Sequence, residues 1–462
     1  MSAKRVVIIG GGISGLAAAH RLIELGLEKS QITLIEAGDR LGGTIATEHR
    51  DGFLIERGPD SFISEKPQGV ALAKRLGLES RLIQTNEQYR RSFIVRNGRL
   101  RPVPEGFQLL APSRVWPFIT TDIFSLAGKL RMAADLLLPR ANGSDDESLA
   151  SFVRRRLGQQ ALERMAQPMV GGIYTADPET LSLRATLPRF LDMERNHRSL
   201  ILAMMRQGQK RGTSGARYSL FLSFDRGMEV LVNALAGVVP NVRLKTRIEE
   251  LSFDSRIWRL KANSGESFEA DAICLAVPAY IAAQLLETIN PQLASQLNAI
   301  KYASTATINF AYPRAAIKHP LNGFGFVVPF IEKRSLLACT FSSVKFAGRA
   351  PKEHVLLRAF AGGALQPDVF ALEPSTLVPR IEADLRELLN IDRSPLFTEV
   401  AKWERSMPQY EVGHLERVQA IEKEIRVLKG LALAGNAYQG AGIPDCIRSG
   451  EAAAESLVSS AA

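Results

Sequence analysis

The N-terminal segment over residues 6–36 constrains the fold more than any other part of the chain. Four apolar residues with strong β preference, 6–9, lead into a Gly-x-Gly-x-x-Gly turn. An alanine- and leucine-rich stretch over 16–25 predicts a helix, and residues 31–36 predict a second strand that ends in an acid. This order of strand, turn, helix, strand and acid is typical of dinucleotide binding.

Each glycine of the turn has its own role in that motif. Gly10 permits the tight turn, Gly12 lets the backbone approach a pyrophosphate, and Gly15 lets the helix pack on the strand. The N–H groups and the positive dipole at the helix N-terminus would then face the phosphates, and Glu36 can accept hydrogen bonds from ribose hydroxyls. A glycine-rich turn in any other α/β protein is the alternative, but the flanking elements in register favour a dinucleotide.

The size and charge of the chain narrow its class. With 462 residues, 46% of them hydrophobic and 23% charged, we expect a folded protein of two or three domains. The formal net charge is +10, but Lys and Arg are scattered and form no dense tract. We therefore expect no nucleic-acid partner; an anionic small substrate and an acidic lipid surface explain the excess charge equally well.

The cysteines and the start of the chain bear on its location. The three cysteines, Cys274, Cys339 and Cys446, are far apart, which favours a reducing compartment without disulfides or a cysteine-bound metal. A strand that begins at Val6 leaves no room for a signal peptide, and no apolar run is long enough to cross a bilayer. We expect a cytoplasmic protein; a peripheral position on the inner face of the cell membrane stays open.

Two further motifs follow the first strand pair. The stretch Ala37-Gly38-Asp39-Arg40-Leu41-Gly42-Gly43-Thr44 offers a second close backbone approach and a cation beside the pyrophosphate. The stretch Phe53-Leu54-Ile55-Glu56-Arg57-Gly58-Pro59-Asp60-Ser61-Phe62 predicts a short strand that breaks into a loop. In this order the motifs resemble the FAD-dependent amine oxidase superfamily.

The C-terminus carries a second glycine-rich motif. A strand over 431–436 is followed by Gly440-Ala441-Gly442-Ile443-Pro444-Asp445-Cys446 and a helix that reaches Val458. Proline is tolerated in the first turn of a helix, and a helix N-terminus aimed at a flavin ring would stabilise the negative charge of reduced flavin. An ordinary terminal helix is the alternative, but it leaves the glycines without a purpose.

Within this superfamily the whole chain resembles the porphyrinogen oxidases of haem biosynthesis. Besides the cofactor motifs, the resemblance rests on matches at Gly171-Gly172-Ile173-Tyr174, His197-Arg198-Ser199-Leu200, 323–329, Trp403 with 406–410, and Gly442-Ile443-Pro444-Asp445. It implies an α/β fold, α+β overall, with a Rossmann-like FAD-binding domain over 1–85, 217–289 and 401–462. A mixed-sheet substrate domain would cover 86–108, 194–216 and 290–400, and a helical insertion 109–193.

The resemblance implies FAD as the cofactor, and we expect no metal, because none of the six histidines lies in a metal-binding spacing. Positions near the cofactor come from the motifs and from the family: Gly10, Gly12, Ile13, Ser14, Gly15, Glu36, Ala37, Arg40, Gly42, Gly43, Thr44, Gly58, Pro59, Asp60, Ser61, Ile248, Val277, Trp403, Gly435, Gly442, Ile443 and Pro444. The reaction it implies removes six hydrogens from a porphyrinogen in three two-electron steps, with O₂ as acceptor and H₂O₂ as product. No acid–base pair need exist, because the cofactor carries the chemistry.

The resemblance also assigns a substrate pocket. Val327 and Thr340 would press on one face of the tetrapyrrole, Phe360 would stack on the other, and Gly172 would lie near the flavin ring. A family arginine that pairs with a propionate aligns with Ser92 here, so Arg91 and Lys66 become the candidate carboxylate partners. For both cations, a solvated surface position is the alternative.

Several alternatives stay open at the level of sequence. The substrate is coproporphyrinogen III, which we favour, protoporphyrinogen IX, or both. Rival classes are another flavin amine oxidase, for which only Tyr438 hints at an aromatic cage, a carotene desaturase, and a non-catalytic escort protein of the same fold. Partners besides the tetrapyrrole and O₂ would be a second copy of the chain or the next haem-pathway enzyme.

The stretch over 107–140 has two compatible interpretations. It mixes aromatic and aliphatic residues with Arg114, Lys129, Arg131 and Arg140. Basic residues beside an apolar face suit a membrane interface, and the same pattern suits a helical cap over an internal cavity. The chain also predicts a β-hairpin over 90–104, turning at Asn97-Gly98.

Overall fold

The computed structural model describes residues 5–140, 146–210, 221–239 and 241–459. The predicted boundary between residues 216 and 217 lies outside these ranges. The strands, numbered along the chain, are β1 (Val6–Ile9), β2 (Ile32–Ile35), β3 (Thr47–Arg50), β4 (Phe53–Glu56), β5 (Phe62–Ile63), β6 (Leu82–Gln84), β7 (Phe93–Arg96), β8 (Arg99–Pro102), β9 (Phe107–Gln108), β10 (Ala111–Pro112), β11 (Phe221–Phe224), β12 (Asn241–Arg243), β13 (Ile248–Phe253), β14 (Trp258–Ala262), β15 (Ser267–Ala270), β16 (Ala272–Leu275), β17 (Tyr302–Pro313), β18 (Gly325–Val327), β19 (Ala338–Phe341), β20 (His354–Gly362), β21 (Phe397–Pro408) and β22 (Leu431–Leu433).

The helices cluster in three places: around the first sheet, in the stretch between β10 and β11, and against the largest sheet. They are α1 (Ile13–Glu24), α2 (Gln68–Arg75), α3 (Val115–Thr120), α4 (Leu126–Ala133), α5 (Leu149–Arg156), α6 (Gln159–Ala161), α7 (Gln167–Tyr174), α8 (Leu183–Thr186), α9 (Pro188–His197), α10 (Leu200–Lys210), α11 (Glu229–Ala236), α12 (Ala279–Leu286), α13 (Pro291–Asn298), α14 (Ser342–Lys345), α15 (Pro367–Ala371), α16 (Pro374–Leu389), α17 (His414–Ile425) and α18 (Ile443–Ser459).

A parallel sheet of five strands in the order β12-β2-β1-β16-β22 forms the centre of one half of the molecule. Helices α1, α11 and α18 pack on one face, and α12, α13 and α17 pack on the other. Because both faces are covered, the strands are almost continuously apolar rather than alternating. The predicted Rossmann-like architecture is confirmed.

The helix after the glycine turn begins at Ile13, three residues before the predicted start at Leu16. Gly15 therefore lies inside the first helical turn. Glycine is unfavourable in a helix, but here the lack of a side chain lets the helix pack against the turn, and this contact outweighs the loss. The predicted second strand is confirmed over Ile32–Ile35.

The first and last helices pack closely, so both ends of the chain meet on one face of the parallel sheet. Gly450 in α18 makes this approach possible, because a Cβ there would lie 2.1 Å from the carbonyl oxygen of Ser14 in α1. That oxygen belongs to the backbone and cannot move aside. The N-termini of α1 and α18 consequently lie beside the same sheet edge.

A mixed sheet of seven strands, β21-β17-β20-β19-β18-β7-β8, forms the second half. The β18–β7 pair is parallel and its other pairs are antiparallel. Helix α16 covers one face through Leu377, Ile381 and Leu385. The predicted mixed sheet and the hairpin at Asn97-Gly98 are both confirmed. A further apolar cluster joins the helices between β10 and β11.

Replacing Gly450 with alanine should destabilise the protein although alanine favours helix. The added methyl would overlap the Ser14 backbone, and such overpacking costs about 1–3 kcal/mol. Thermal unfolding of Gly450→Ala should therefore show a clearly lower Tm. Gly237→Ala is the matched control, since a Cβ there meets only ordinary contacts at 3.5 Å. Equal Tm values for the two variants would contradict the close-packing argument.

Candidate functional site

The carboxyl ends of four parallel strands define one edge of the first sheet. Gly10 follows β1, Glu36 follows β2, and Val277 and Gly435 lie just beyond β16 and β22. In open parallel sheets ligands bind outside the carboxyl ends of the strands. The sequence-predicted positions at four separate points of the chain are thus brought to one edge.

The glycine turn leaves open space at one of its three glycines. A Cβ on Gly10 would lie 2.4 Å from the carbonyl oxygen of Ala276, and one on Gly15 would lie 1.9 Å from that of Gly10. A Cβ on Gly12 would meet no atom within 4 Å. The turn is therefore closed against the protein at two glycines and open at the middle one, which fits the close approach of a pyrophosphate to the backbone.

Glu36 is held at the sheet edge by backbone N–H groups on both sides. Its Oε2 accepts a hydrogen bond from the Gly11 N–H at 2.7 Å, and its Oε1 accepts one from the Gly38 N–H at 2.7 Å. A carboxylate has about four acceptor positions, so two remain for other donors. This geometry fits the predicted contact with ribose hydroxyls.

The segment over 40–45 folds back against the glycine turn. The Gly42 N–H donates to the Gly11 carbonyl at 2.8 Å. The Arg40 guanidinium donates to the carbonyls of Leu41, Gly43 and Ile45 at 3.0, 2.6 and 2.9 Å. Arg40 therefore holds the shape of this turn with its own donors.

The loop over residues 58–61 lies between the two halves of the molecule and is held by buried charges. Lys345 contacts Asp60 at 2.9 Å, and Arg358 Nη1 lies 3.8 Å from the same carboxylate. Arg358 also donates to the Gly58 carbonyl. Burial alone would raise the pKa of Asp60, but the charges of Lys345 and Arg358 outweigh it and hold that pKa well below its usual range.

One face of the mixed sheet carries the predicted substrate residues. Val327 pairs across strands with Ala338, and Ala338 with Phe360; Thr340 lies two residues along β19 from Ala338. Because residues directly opposite or two apart share a face, Val327, Thr340 and Phe360 lie together. Gly172 of α7 lies over this face: a Cβ there would be 3.8 Å from Val327 Cγ1.

Arg358 joins the sheet face to the loop. Its guanidinium lies over the Phe360 ring at 4.7 Å from the centroid, a cation–π contact. Thr307 and Trp403, on neighbouring strands, donate to the Arg57 carbonyl at 2.6 and 2.9 Å. The face that bears the predicted substrate residues is thus fixed against residues 57–60.

Lys66 and Arg91, the two residues predicted to pair with a substrate carboxylate, make different contacts in the structure. Lys66 forms an ion pair of 2.5 Å with Asp445, which is 4% exposed in the first turn of α18. Arg91 is exposed, and its backbone carbonyl accepts from the Phe324 N–H at 2.8 Å. Of the two, Lys66 alone has a carboxylate partner among the residues that the structure describes.

The remaining predicted cofactor positions differ in how far they are exposed. Ile248, Ile443 and Pro444 are buried, while Ala37, Gly43, Thr44 and Gly442 are exposed. The Gly435 N–H donates to Ser449 Oγ at 3.0 Å, and Pro59 and Ser61 are half-buried in the loop over 58–61. Ile13 and Ser14 begin α1.

Sequence reasoning missed the cations Lys345, Arg349 and Arg358. All three are buried, and Arg349 donates to Ser223 Oγ at 2.8 Å and to the Phe224 carbonyl at 3.0 Å. One signal was available: Arg358 interrupts an apolar strand, and a charge in a buried run requires a partner. The partner itself is about 300 residues away and has no local signature.

Comparison with known proteins matches these features. The model of the family described as flavin containing amine oxidoreductase matches residues 13–458. The chain belongs to this family. The match confirms the predicted FAD cofactor and the family resemblance that the sequence motifs indicate.

Relatives match over almost the whole chain. Coproporphyrinogen III oxidase of Bacillus subtilis is 35% identical over 97% of both chains, and the chloroplastic protoporphyrinogen oxidase of Nicotiana tabacum is 30% identical over 96% of this chain and 83% of its own. A solved structure from Exiguobacterium sp. 255-15 has a TM-score of 0.88 at 32% identity and covers 99% of both chains. Cyclohexylamine oxidase of Brevibacterium oxydans, at 18% identity and TM-score 0.72, shares the fold.

Within the described ranges, no cluster of His, Cys, Asp and Glu is arranged to hold a metal ion. In the same ranges, no helix has the length and apolar character that crossing a membrane requires.

The buried carboxyl group of Glu56 should make the stability of the protein depend on pH. It is 4% exposed, and burial raises its pKa to about 7 although Thr47 and the Met228 N–H donate to it. Because the pKa of Glu56 is higher in the folded than in the unfolded protein, the free energy of unfolding falls as the pH rises from the unfolded pKa of 4.5 to about 7. The full effect is on the order of 3 kcal/mol.

Glu56→Gln should therefore flatten this part of the stability profile. The amide can still accept from Met228 and donate to Thr47, but it has no charge to bury. Unfolding free energies of both proteins, measured between pH 5 and pH 8 at fixed salt, should diverge most above pH 7, where the variant is the more stable. Parallel profiles would contradict the raised pKa.

Proposed function

We propose that this protein oxidises a porphyrinogen to a porphyrin with FAD and O₂ in haem biosynthesis. We propose further that coproporphyrinogen III is its preferred substrate. The observation that carries this proposal is the near full-length similarity to proteins named coproporphyrinogen III oxidase, at 35, 34 and 31% identity. The plant proteins named protoporphyrinogen oxidase are 26–30% identical. Protoporphyrinogen IX stays the second candidate substrate.

The overall reaction balances without any other reactant. Coproporphyrinogen III gives up six hydrogens and three O₂ become three H₂O₂. Bound FAD supplies the two-electron chemistry that links the two. The chain contributes binding, orientation and exclusion of water, which are the usual contributions of the protein in cofactor enzymes.

The positions named in the sequence as cofactor residues are proposed to hold FAD. The pyrophosphate would lie at the open side of Gly12, the ribose at Glu36, and the isoalloxazine between the N-terminus of α18 and the loop over 58–61. The open space at Gly12 and the free acceptor capacity of Glu36 support this arrangement. The domain division given from the sequence is proposed with it.

The tetrapyrrole is proposed to bind on the face of the mixed sheet that carries Val327, Thr340 and Phe360, under Gly172. The missing side chain of Gly172 keeps the gap between α7 and Val327 open. Lys66 and Arg91 remain the proposed carboxylate partners; for Lys66, the contact with Asp445 supports a role in orienting the start of α18 as well. Homodimer formation and contact with the next pathway enzyme stay predictions.

An amine oxidase is the rival with a testable structural feature. Its expected aromatic cage would need Tyr438 beside the substrate, but this side chain packs in the apolar cluster under the parallel sheet. The proposal therefore favours the tetrapyrrole over an amine.

Porphyrinogen oxidation is the direct test. The FAD-loaded protein should convert anaerobically prepared coproporphyrinogen III to fluorescent porphyrin once air is admitted, faster than it converts protoporphyrinogen IX, and should leave amines untouched. Phe360→Ala should lower kcat/KM at least about tenfold by removing the stacking ring. Phe268→Ala, on β15 and outside the mixed sheet, is the matched control and should match wild type. A flavin-loaded protein that oxidises neither porphyrinogen would refute the proposal.

Peripheral membrane contact by a cytoplasmic protein is proposed from an exposed apolar face on the helical stretch. Trp116, Leu126 and Leu137 are 74, 75 and 82% exposed, and the cations Arg114 and Lys129 lie within the same stretch. An apolar face flanked by cations suits the interface of a bilayer with acidic lipids. This proposal is compatible with the other interpretation of the stretch, a helical cap over an internal cavity.

Co-sedimentation with vesicles tests the membrane contact. Trp116→Ser/Leu126→Ser should lower the fraction bound to vesicles of mixed neutral and acidic phospholipid by roughly tenfold, because two large apolar side chains no longer enter the interface. The control pair Leu396→Ser/Val427→Ser removes two apolar side chains elsewhere that are 53 and 70% exposed, and it should change nothing. Equal binding by all three proteins would exclude this face as the contact.

A further inference from the structure

The segment over 409–414 joins β21 to α17 and packs against the loop over 434–442, which joins β22 to α18. Residues 406–410 belong to the sequence matches with the family, but none of them is a predicted cofactor or substrate position. The loop, by contrast, contains Gly435 and Gly442, which are two of the predicted cofactor positions. Contacts between the segment and the loop therefore bear on the geometry of the cofactor site.

Tyr410 holds the loop through its buried hydroxyl group. The hydroxyl donates a hydrogen bond to the Asn436 carbonyl and accepts one from the Gly440 N–H at 2.9 Å. Burial raises the pKa of Tyr410 well above its usual value, so the hydroxyl keeps its proton and remains a donor. One side-chain group therefore joins two backbone groups that are four residues apart in the loop.

His414 holds the same loop between these two points. Its ring is stacked on that of Tyr410, with the centroids 4.2 Å apart and 16° between the planes. Its Nε2 lies 2.9 Å from the Tyr438 carbonyl oxygen, and because a carbonyl can only accept, Nε2 carries the proton. Burial lowers the pKa of His414, so the ring is neutral at pH 7. The two stacked rings thus bind three alternate residues of the loop.

The segment that carries the two rings is fixed on its other side by the stretch between β10 and β11. The Ser182 N–H donates to the Tyr410 carbonyl at 2.7 Å. The Asp146 carboxylate accepts from the Gly413 N–H at 3.1 Å and from Ser182 Oγ at 2.7 Å. Because its backbone is held in this way, Tyr410 presents its hydroxyl to the loop in a fixed position.

We propose that Tyr410 and His414 are positioning residues for FAD, which hold the loop over 434–442 so that the N-terminus of α18 faces the isoalloxazine. This inference rests on the placement of FAD in the proposed function. The unpaired N–H groups and the positive dipole end of α18 would stabilise the negative charge of reduced flavin. That effect is confined to the first turn of the helix, so a small displacement of the loop is enough to weaken it. Neither side chain needs to touch the cofactor.

Tyr410→Phe tests the proposal, because it removes the hydroxyl and keeps the ring that stacks on His414. The Kd for FAD should rise roughly tenfold, since two hydrogen bonds to the loop are lost. The midpoint potential of bound FAD should become more negative, since the reduced flavin loses part of its stabilisation by α18. The Kd is measured on the FAD-loaded full-length protein, from the flavin fluorescence released on dilution well below the Tm, and the potential by anaerobic redox titration.

Ser199→Ala, between α9 and α10, is the matched control. Its buried hydroxyl also makes two hydrogen bonds, donating to the Asp135 carboxylate at 2.6 Å and accepting from the Leu202 N–H at 3.1 Å. Loss of these bonds should lower the Tm, but it should leave the Kd for FAD and the potential at the wild-type values. The control therefore separates positioning of the cofactor loop from general destabilisation.

His414→Phe is a second variant that acts on the same loop. It keeps a ring stacked on Tyr410 and, because the imidazole is neutral, removes no charge, but the Tyr438 carbonyl loses its donor. FAD binding should weaken and the potential should become more negative, as in Tyr410→Phe. If Tyr410→Phe does not fold, the same criteria are applied to His414→Phe.

Three outcomes would overturn the proposal. Tyr410→Phe binds FAD as tightly as wild type, it keeps the wild-type potential, or Ser199→Ala loses FAD to the same extent. The first two mean that the loop keeps its place without the hydroxyl, and the third means that general destabilisation explains the change. None of these measurements uses a porphyrinogen, so a wild-type protein that binds FAD but oxidises no porphyrinogen would refute the proposed substrate and not this inference.

Discussion

The buried contact between Arg358 and the loop over 58–61 is the interaction on which the geometry of the site depends. One guanidinium reaches Gly58 and Asp60 in the loop and the Phe360 ring on the mixed sheet. Burying such charges is costly unless each has partners in good geometry. The contact therefore tolerates only a narrow range of positions for the sheet relative to the loop, and it fixes the distance between them.

Close backbone packing provides the second constraint. A Cβ on Gly58 would lie 1.7 Å from the Thr44 carbonyl oxygen, and one on Gly450 would lie 2.1 Å from that of Ser14. These contacts draw the loop over 58–61, the turn over 40–45 and the last helix toward the carboxyl edge of the parallel sheet. Segments separated by about 400 residues thereby form one surface, and the glycines do this without adding any group that could react.

Sequence alone predicts the parts of this arrangement that local pattern determines. The strand and glycine turn before Glu36, the hairpin at Asn97-Gly98 and the mixed sheet follow from periodicity and turn chemistry. The predicted start of α1, at Leu16, is three residues too late. Glycines lower helix propensity, but in the fold Gly15 belongs to the helix because its close packing requires the absence of a side chain. Pairings such as Lys66 with Asp445 join residues that are far apart in sequence, so no local pattern encodes them.

The titratable groups around the sheet face argue for positioning rather than acid–base catalysis. Asp60 is held as an anion by Lys345 and Arg358, and Glu56 is enclosed by donors from Thr47 and Met228. Asp60 is not free to accept a proton from a substrate while it keeps these contacts, and Glu56, although its pKa is raised to about 7, is only 4% exposed and is enclosed by its own donors. A reaction that needs only electrons and hydrogens taken up by the cofactor suits such a site, because a rigid and dry face is then the main contribution that the chain must make.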